Sequence, residues 1–120
     1  MRVLIVESHF ELGCRWERAL QRNGADVCFA RSQHEAVKAL MQDDFDIRVL
    51  DLVLKNGSAL AISDFANYRR PKARVVFVTN TSFFSDGSIF QHCSNACAYL
   101  QSETPPDDLV AMVEQYAERA

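Results

Sequence analysis

At 120 residues, with apolar side chains at 48% and charged ones at 24%, the chain has the length and balance of one folded domain. This composition excludes a disordered chain, and a net charge of −3 gives no general attraction for nucleic acid. No apolar run approaches the roughly 20 residues that cross a bilayer, and Met1-Arg2-Val3-Leu4-Ile5-Val6-Glu7 turns acidic too soon for a signal peptide.

A cytoplasmic location without membrane contact is therefore expected, with Cys14, Cys28, Cys93 and Cys97 as reduced thiols. Cys93 and Cys97, with His92 beside them, do not form a common zinc pattern and read as small core residues. The basic stretch Tyr68-Arg69-Arg70-Pro71-Lys72 reads as a solvated helix end, where cations complement the dipole.

The first apolar run, Arg2–Val6, predicts a strand that ends in Glu7. Leu12, Trp16, Ala19 and Leu20 then recur at helical spacing until Asn23-Gly24, a helix stop. Ser8-x-x-Glu11 predicts a capping box at the start of that helix. Val27-Cys28-Phe29-Ala30 is the second predicted strand. Ser32-x-x-Glu35 caps a second helix, whose expected buried face is Ala36, Val37, Leu40 and Met41.

Ile47–Leu50 predicts the third strand, ending at Asp51, and Lys55-Asn56-Gly57 a loop. A helix from about Ser58 carries Ala61, Phe65 and Tyr68 on one face and stops before Pro71. Arg74–Val78 is a strongly β-forming run ending at Thr79. Ser82–Cys93 suggests a loop and a short helix, Ala96–Leu100 a fifth strand. Pro105-Pro106 opens a last helix with Leu109, Val113, Tyr116 and Ala117 toward the core.

Five strands alternating with five helices predict an α/β fold: a flavodoxin-like (βα)5 domain over 1–120. Its five-stranded parallel sheet, in the order 2-1-3-4-5, has helices on both faces. Glu7, Asp51 and Thr79 then share the carboxyl edge of the sheet, where such folds place their chemistry. Arg48 falls on the sheet face opposite Asp51 and needs a partner there.

Arg2-Val3-Leu4-Ile5-Val6-Glu7, the run Asp46, Asp51, Leu52, Leu54, Gly57 and Ser58, the pair Val78-Thr79, and Ala96, Tyr99 and Leu100 together resemble the receiver domain of response regulators, the CheY-like family. The resemblance covers essentially the whole chain in order. It implies a role in two-component phosphorelay signalling, with Asp51 at the position that accepts a phosphoryl group from a histidine kinase. It also implies Mg²⁺ held by an acidic pair after the first strand, by Asp51 and by the backbone carbonyl of Val53. Thr79 matches the switch hydroxyl, and Tyr99 the aromatic switch on the fifth strand.

Three positions depart from that pattern. Glu7 keeps the first acid, but Ser8 stands at the second, so Ser8 is a weak ligand at most and the Mg²⁺ site is expected to be weakened. Ser102 occupies the position of a phosphate-pairing lysine, and Glu103 follows it. Asn80 replaces a very small residue beside the switch. The spacing from Thr79 to Tyr99 is one residue long, an excess assigned to the loop before the fourth helix. Lys55 reads as an exposed loop lysine, with a substitute cation over Asp51 as its other reading.

The expected function is a non-enzymatic receiver-like domain with a degenerate pocket, signalling through protein contacts around Tyr99. A histidine kinase or another signalling protein is the expected partner. The fourth helix, fifth strand and fifth helix also leave room for a homodimer, and the domain either acts alone or is part of a longer protein. A phosphorylation-competent receiver is the alternative. A flavodoxin-like cofactor or catalytic protein is disfavoured: Glu7-Ser8-His9-Phe10 is no phosphate loop, and neither GxGxxG nor a P-loop occurs. His9, His34 and His92 fall in different segments, with His9 expected to face solvent.

Overall fold

The computed structural model describes residues 1–70, 74–79 and 96–118. Its elements are β1 (Arg2–Val6), α1 (Phe10–Arg22), β2 (Asp26–Ala30), α2 (Gln33–Gln42), β3 (Ile47–Asp51), α3 (Ala59–Arg69), β4 (Arg74–Thr79), β5 (Ala96–Gln101) and α4 (Pro106–Glu118). All strand pairs are parallel and the order is β2-β1-β3-β4-β5, the topology expected from the alternation of periods. The short helix expected within Ser82–Cys93, and Asn80, lie outside the described residues.

Strand alternation sends side chains to two cores. Val3, Ile5, Ile47, Val49, Val76 and Val78 pack under α1 and α4, against Trp16, Leu20, Leu109 and Val113. Leu4, Val6, Leu50, Val75 and Phe77 face α2 and α3, against Leu40, Ile62 and Ala66. Each large apolar side chain withdrawn from water in this way contributes about 1.5–3 kcal/mol. The strands that carry the carboxyl edge are thus fixed from both sides.

Two helices bury a different stripe from the one expected. In α2, Ala36 and Leu40 are buried while Met41 is 60% exposed. In α3, the core face is Ala59, Ile62, Ser63 and Ala66; Ala61 is exposed and Tyr68 is 86% exposed. Both α3 stripes satisfy a 3.6-residue period, because apolar residues surround this helix. The core takes the stripe of smaller side chains, which lets α3 approach α2 closely.

Two helix starts carry side-chain caps, Ser32 as predicted and Ser58 at the expected helix start. Ser32 Oγ accepts from the Glu35 amide at 3.2 Å, and Ser58 Oγ from the Ala61 amide at 3.2 Å. The third start differs: α1 has His9 at its N-cap, with no side-chain cap bond. Ser8 is not a helix cap, because its hydroxyl is taken by the loop after β3. At the far end of α1, Gly24 supplies a φ of 88°, as the Asn23-Gly24 stop requires.

The extra residue between Thr79 and Tyr99 has a counterpart inside β5. Val75 pairs with Ala96 but Val76 pairs with Ala98, a one-residue shift in the ladder. Beyond the shift, Phe77 faces Tyr99 and Thr79 faces Gln101. The loop to which the excess was assigned lies outside the described residues.

Candidate functional site

Adjacent strands β1 and β3 deliver Glu7 and Asp51 side by side at the carboxyl edge. Glu7 is fully buried, its main-chain N–H donating to the Ala30 carbonyl at 3.1 Å. Its Oε1 accepts from the His9 amide at 2.9 Å, and His9 Nδ1 lies 3.4 Å from the same oxygen. Asp51 is 6% exposed, and its Oδ1 accepts from the Val53 amide at 2.8 Å, closing a tight turn.

The two carboxyl groups meet. Burial first, then the hydrogen bond and negative charge of Asp51, push the Glu7 carboxyl up to about 8, against the opposing pull of the His9 amide. Glu7 Oε2 is buried without a donor among the described residues, and a proton between the carboxyls, a water or an added cation would satisfy it.

A cavity of about 150 Å³ opens over the pair, lined by Glu7, His9, Leu12, Asp51, Val53 and Ser102. Four residues singled out in the sequence therefore converge: Glu7, Asp51, Val53 and Ser102. Ser102 is held by its main-chain N–H, which donates to the Thr79 carbonyl at 2.8 Å. Thr79 itself is fully buried at the end of β4 and does not line the cavity. Tyr99 is half-buried beyond Phe77, packed on the α2/α3 side of the sheet.

Ser8 departs from its expected place near the metal. Its Oγ accepts from the Lys55 amide at 3.0 Å, and its carbonyl accepts from Arg31 Nη2 at 3.3 Å. It lines a neighbouring polar cavity of about 420 Å³ with Arg31, Ser32, Glu35, Lys55 and Asn56. Lys55 belongs to that second cavity and does not line the one over Asp51. The same loop is tied to α2, since the Ser58 amide donates to Gln33 Oε1 at 2.8 Å and the Gln33 amide to the Asn56 carbonyl at 3.1 Å.

Leu12 is the lining residue that sequence reasoning did not place, whereas His9 was expected near the pocket but facing solvent. His9, expected to face solvent, is largely exposed yet turns Nδ1 toward Glu7. The signal was present in the chain: an amide at a helix N-cap, two residues after a strand-end acid, is well placed to bond it. Arg48 lies on the opposite face, as expected, and is 1% exposed. Among the described residues its Nε and Nη1 have no hydrogen-bond partner, and burial together with the nearby Arg70 charge pushes it down to about 10.

Glu7 and Asp51 offer hard oxygens of the kind Mg²⁺ takes, and Val53, whose carbonyl was expected as a further ligand, lines the same cavity. The acidic part of the set stops at two carboxylates. Among the described residues no group of three or more acidic, histidine or cysteine side chains is placed to hold a metal.

Comparison with known proteins places this architecture. A CheY-like response regulator receiver domain protein from Methanospirillum hungatei superposes with a TM-score of 0.89 at 19% identity, over 98% of this chain and 94% of that one. The response regulator TrrA from Thermotoga maritima, solved in complex with Mg²⁺ and BeF, superposes at 0.82 and 19% identity, over 96% and 97% of the two chains. The chain therefore has the fold of response regulator receiver domains. In sequence, the swarming motility regulation protein RssB of Serratia marcescens is 37% identical over 60 residues, which is 50% of this chain and 27% of RssB. No family model matches the chain. Among the described residues, no helix is long and apolar enough to cross a membrane.

Proposed function

We propose that residues 1–120 form a receiver domain of two-component signal transduction, with Asp51 at the phosphoryl-acceptor position and a pocket short of positive charge. The observation that carries this reading is the buried Glu7–Asp51 pair at the carboxyl edge of a receiver fold, under a cavity that no lysine or arginine lines among the described residues. The Val53 amide fixes one oxygen of Asp51, leaving the carboxylate oriented for in-line attack on phosphorus. In that step an Asp51 oxygen bonds to phosphorus while the donor's P–N or P–O bond breaks and its electron pair leaves with the donor.

Mg²⁺ bound by Glu7, Asp51 and the Val53 carbonyl would neutralise the oxygens that repel each other during transfer. With Ser8 engaged by Lys55, such a site has one carboxylate fewer than an acidic pair provides, and weaker metal binding follows. Ser102 offers a hydroxyl but no charge to a bound phosphoryl group. Signalling then rests mainly on protein contacts, with a histidine kinase or another signalling protein as partner. The exposed side of α4 together with β5 is the surface available for a homodimer. We read the domain as a signalling unit rather than an enzyme.

Full phosphorylation competence is the second reading, favoured by the anchored Asp51 carboxylate. Incubation with Mg²⁺ and a small acyl-phosphate donor, followed by intact mass, separates the two. We expect an adduct that is minor and disappears in Asp51→Asn. Stoichiometric labelling, matching that of an established receiver treated in parallel, would establish the second reading instead.

A further inference from the structure

The cavity over the acid pair has a shape and polarity that a small hydrated ion does not use fully. Its floor is two carboxyls, one of them fully buried with an orphaned oxygen, Glu7 Oε2. Its walls include two aliphatic side chains, Leu12 and Val53, and Val53 stands half-exposed at the opening. Ser102 contributes a short hydroxyl and leaves the space open. Among the described residues, no lysine or arginine lines this space. His9 lines the space with Nδ1 3.4 Å from Glu7 Oε1, while Arg31 is engaged by the Ser8 carbonyl and the Phe10 ring, and Lys55 lines the other polar cavity.

We propose that this cavity binds an alkylammonium group, with the aliphatic stem between Leu12 and Val53 and the ammonium head on Glu7 Oε2 and Asp51. An ammonium carries three donors and one charge, and its methylene stem buries well on apolar walls. A charge-assisted hydrogen bond to the Glu7–Asp51 pair is of the stronger class, and burial of the pair strengthens it further. The group arrives either on a free amine or as the lysine side chain of a partner protein. The inference rests on the Glu7–Asp51 pair as the working site of this domain, and not on phosphoryl transfer to Asp51.

The test is titration of ¹⁵N-labelled protein with n-butylammonium chloride, monitored at the amides of Leu12, Val53 and Ser102. Tetramethylammonium chloride at equal ionic strength, n-butanol and MgCl₂ serve as separate arms. We expect a saturable shift with n-butylammonium alone of the three organic probes. Asp51→Asn should weaken it about tenfold or more, and Ser102→Lys, which brings its own ammonium to the cavity, should remove it. A blocked lysine peptide binding more tightly than n-butylammonium, with its acetyl-lysine form inert, would assign the group to a partner protein. Equal affinity would assign it to a free amine.

Equal shifts with tetramethylammonium, or no saturable shift with n-butylammonium, would overturn the proposal. If MgCl₂ still shifts the same amides in that case, the acid pair remains a working site and only the alkylammonium inference fails. Ser102→Arg, assayed beside Ser102→Lys, guards against a result caused by misfolding of one variant.

Discussion

Ser8 and Lys55, 47 residues apart, are joined by a hydrogen bond of 3.0 Å from the Lys55 amide to the Ser8 hydroxyl. This bond engages the Ser8 hydroxyl and pins the loop that follows the acceptor strand. Its removal in Ser8→Ala leaves a part-buried N–H without a partner. We expect a loss of about 1 kcal/mol in chemical denaturation and faster hydrogen exchange at Lys55. Unchanged exchange at that amide would show that the bond does not hold the loop.

Glu7 titrates far from the usual carboxylate range, and stability follows. Because the folded carboxyl is raised from 4.5 to about 8, the folded protein holds a proton that the unfolded chain releases between those values. Stability should therefore be highest below about 4.5, fall as pH rises toward about 8 and then level off with respect to this group. The limiting slope is about 1.4 kcal/mol per pH unit, shared with Asp51 as a coupled pair. Denaturation of Glu7→Gln across this range should give a flatter profile. Mg²⁺ must displace the same proton, so its affinity should rise with pH up to about 8, with proton release measurable by calorimetry in two buffers.

Arg48 is a charge under the α2/α3 layer, with Nε and Nη1 lacking hydrogen-bond partners among the described residues. Desolvation of a guanidinium is costly, and an apolar side chain of similar length keeps the packing without that cost. Arg48→Met should stabilise the domain by about 1 kcal/mol or more in urea unfolding. A destabilised Arg48→Met would mean that the charge is satisfied in a way its burial alone does not reveal.

Gly13 packs against the end of the Phe29 ring. A Cβ at this position would overlap the Phe29 ring. Alanine in a helix interior is otherwise better than glycine by about 1 kcal/mol, so the substitution sets propensity against packing. Overlap with an aromatic ring that also stacks on Phe10 should win, and Gly13→Ala should destabilise by about 1–3 kcal/mol. Gly13→Ala with Phe29→Leu should recover much of the loss; strict additivity in that double-mutant cycle would refute the overlap.

The order of strands and helices, the parallel sheet and the convergence of Glu7, Asp51, Val53 and Ser102 were legible in the linear chain. The elements depend on local signals: apolar runs that stop abruptly, 3.6-residue periods and Ser32 as a cap; Val53 and Ser102 were placed by the resemblance to receiver domains. Once right-handed crossovers fix the topology, residues at strand ends must share an edge. Other features were decided only by packing between distant segments. Ser8-x-x-Glu11 has the pattern of a capping box, yet a loop amide 47 residues away takes the hydroxyl. The α3 sequence permits two apolar stripes, and packing selected the one of smaller side chains. The proton held by Glu7 is likewise tertiary: a glutamate at a strand end is an ordinary acid until burial and Asp51 close over it. Periodicity and caps act within a few residues, so a sequence displays them, whereas desolvation and competition for a hydrogen bond exist only after the chain has brought its distant parts together.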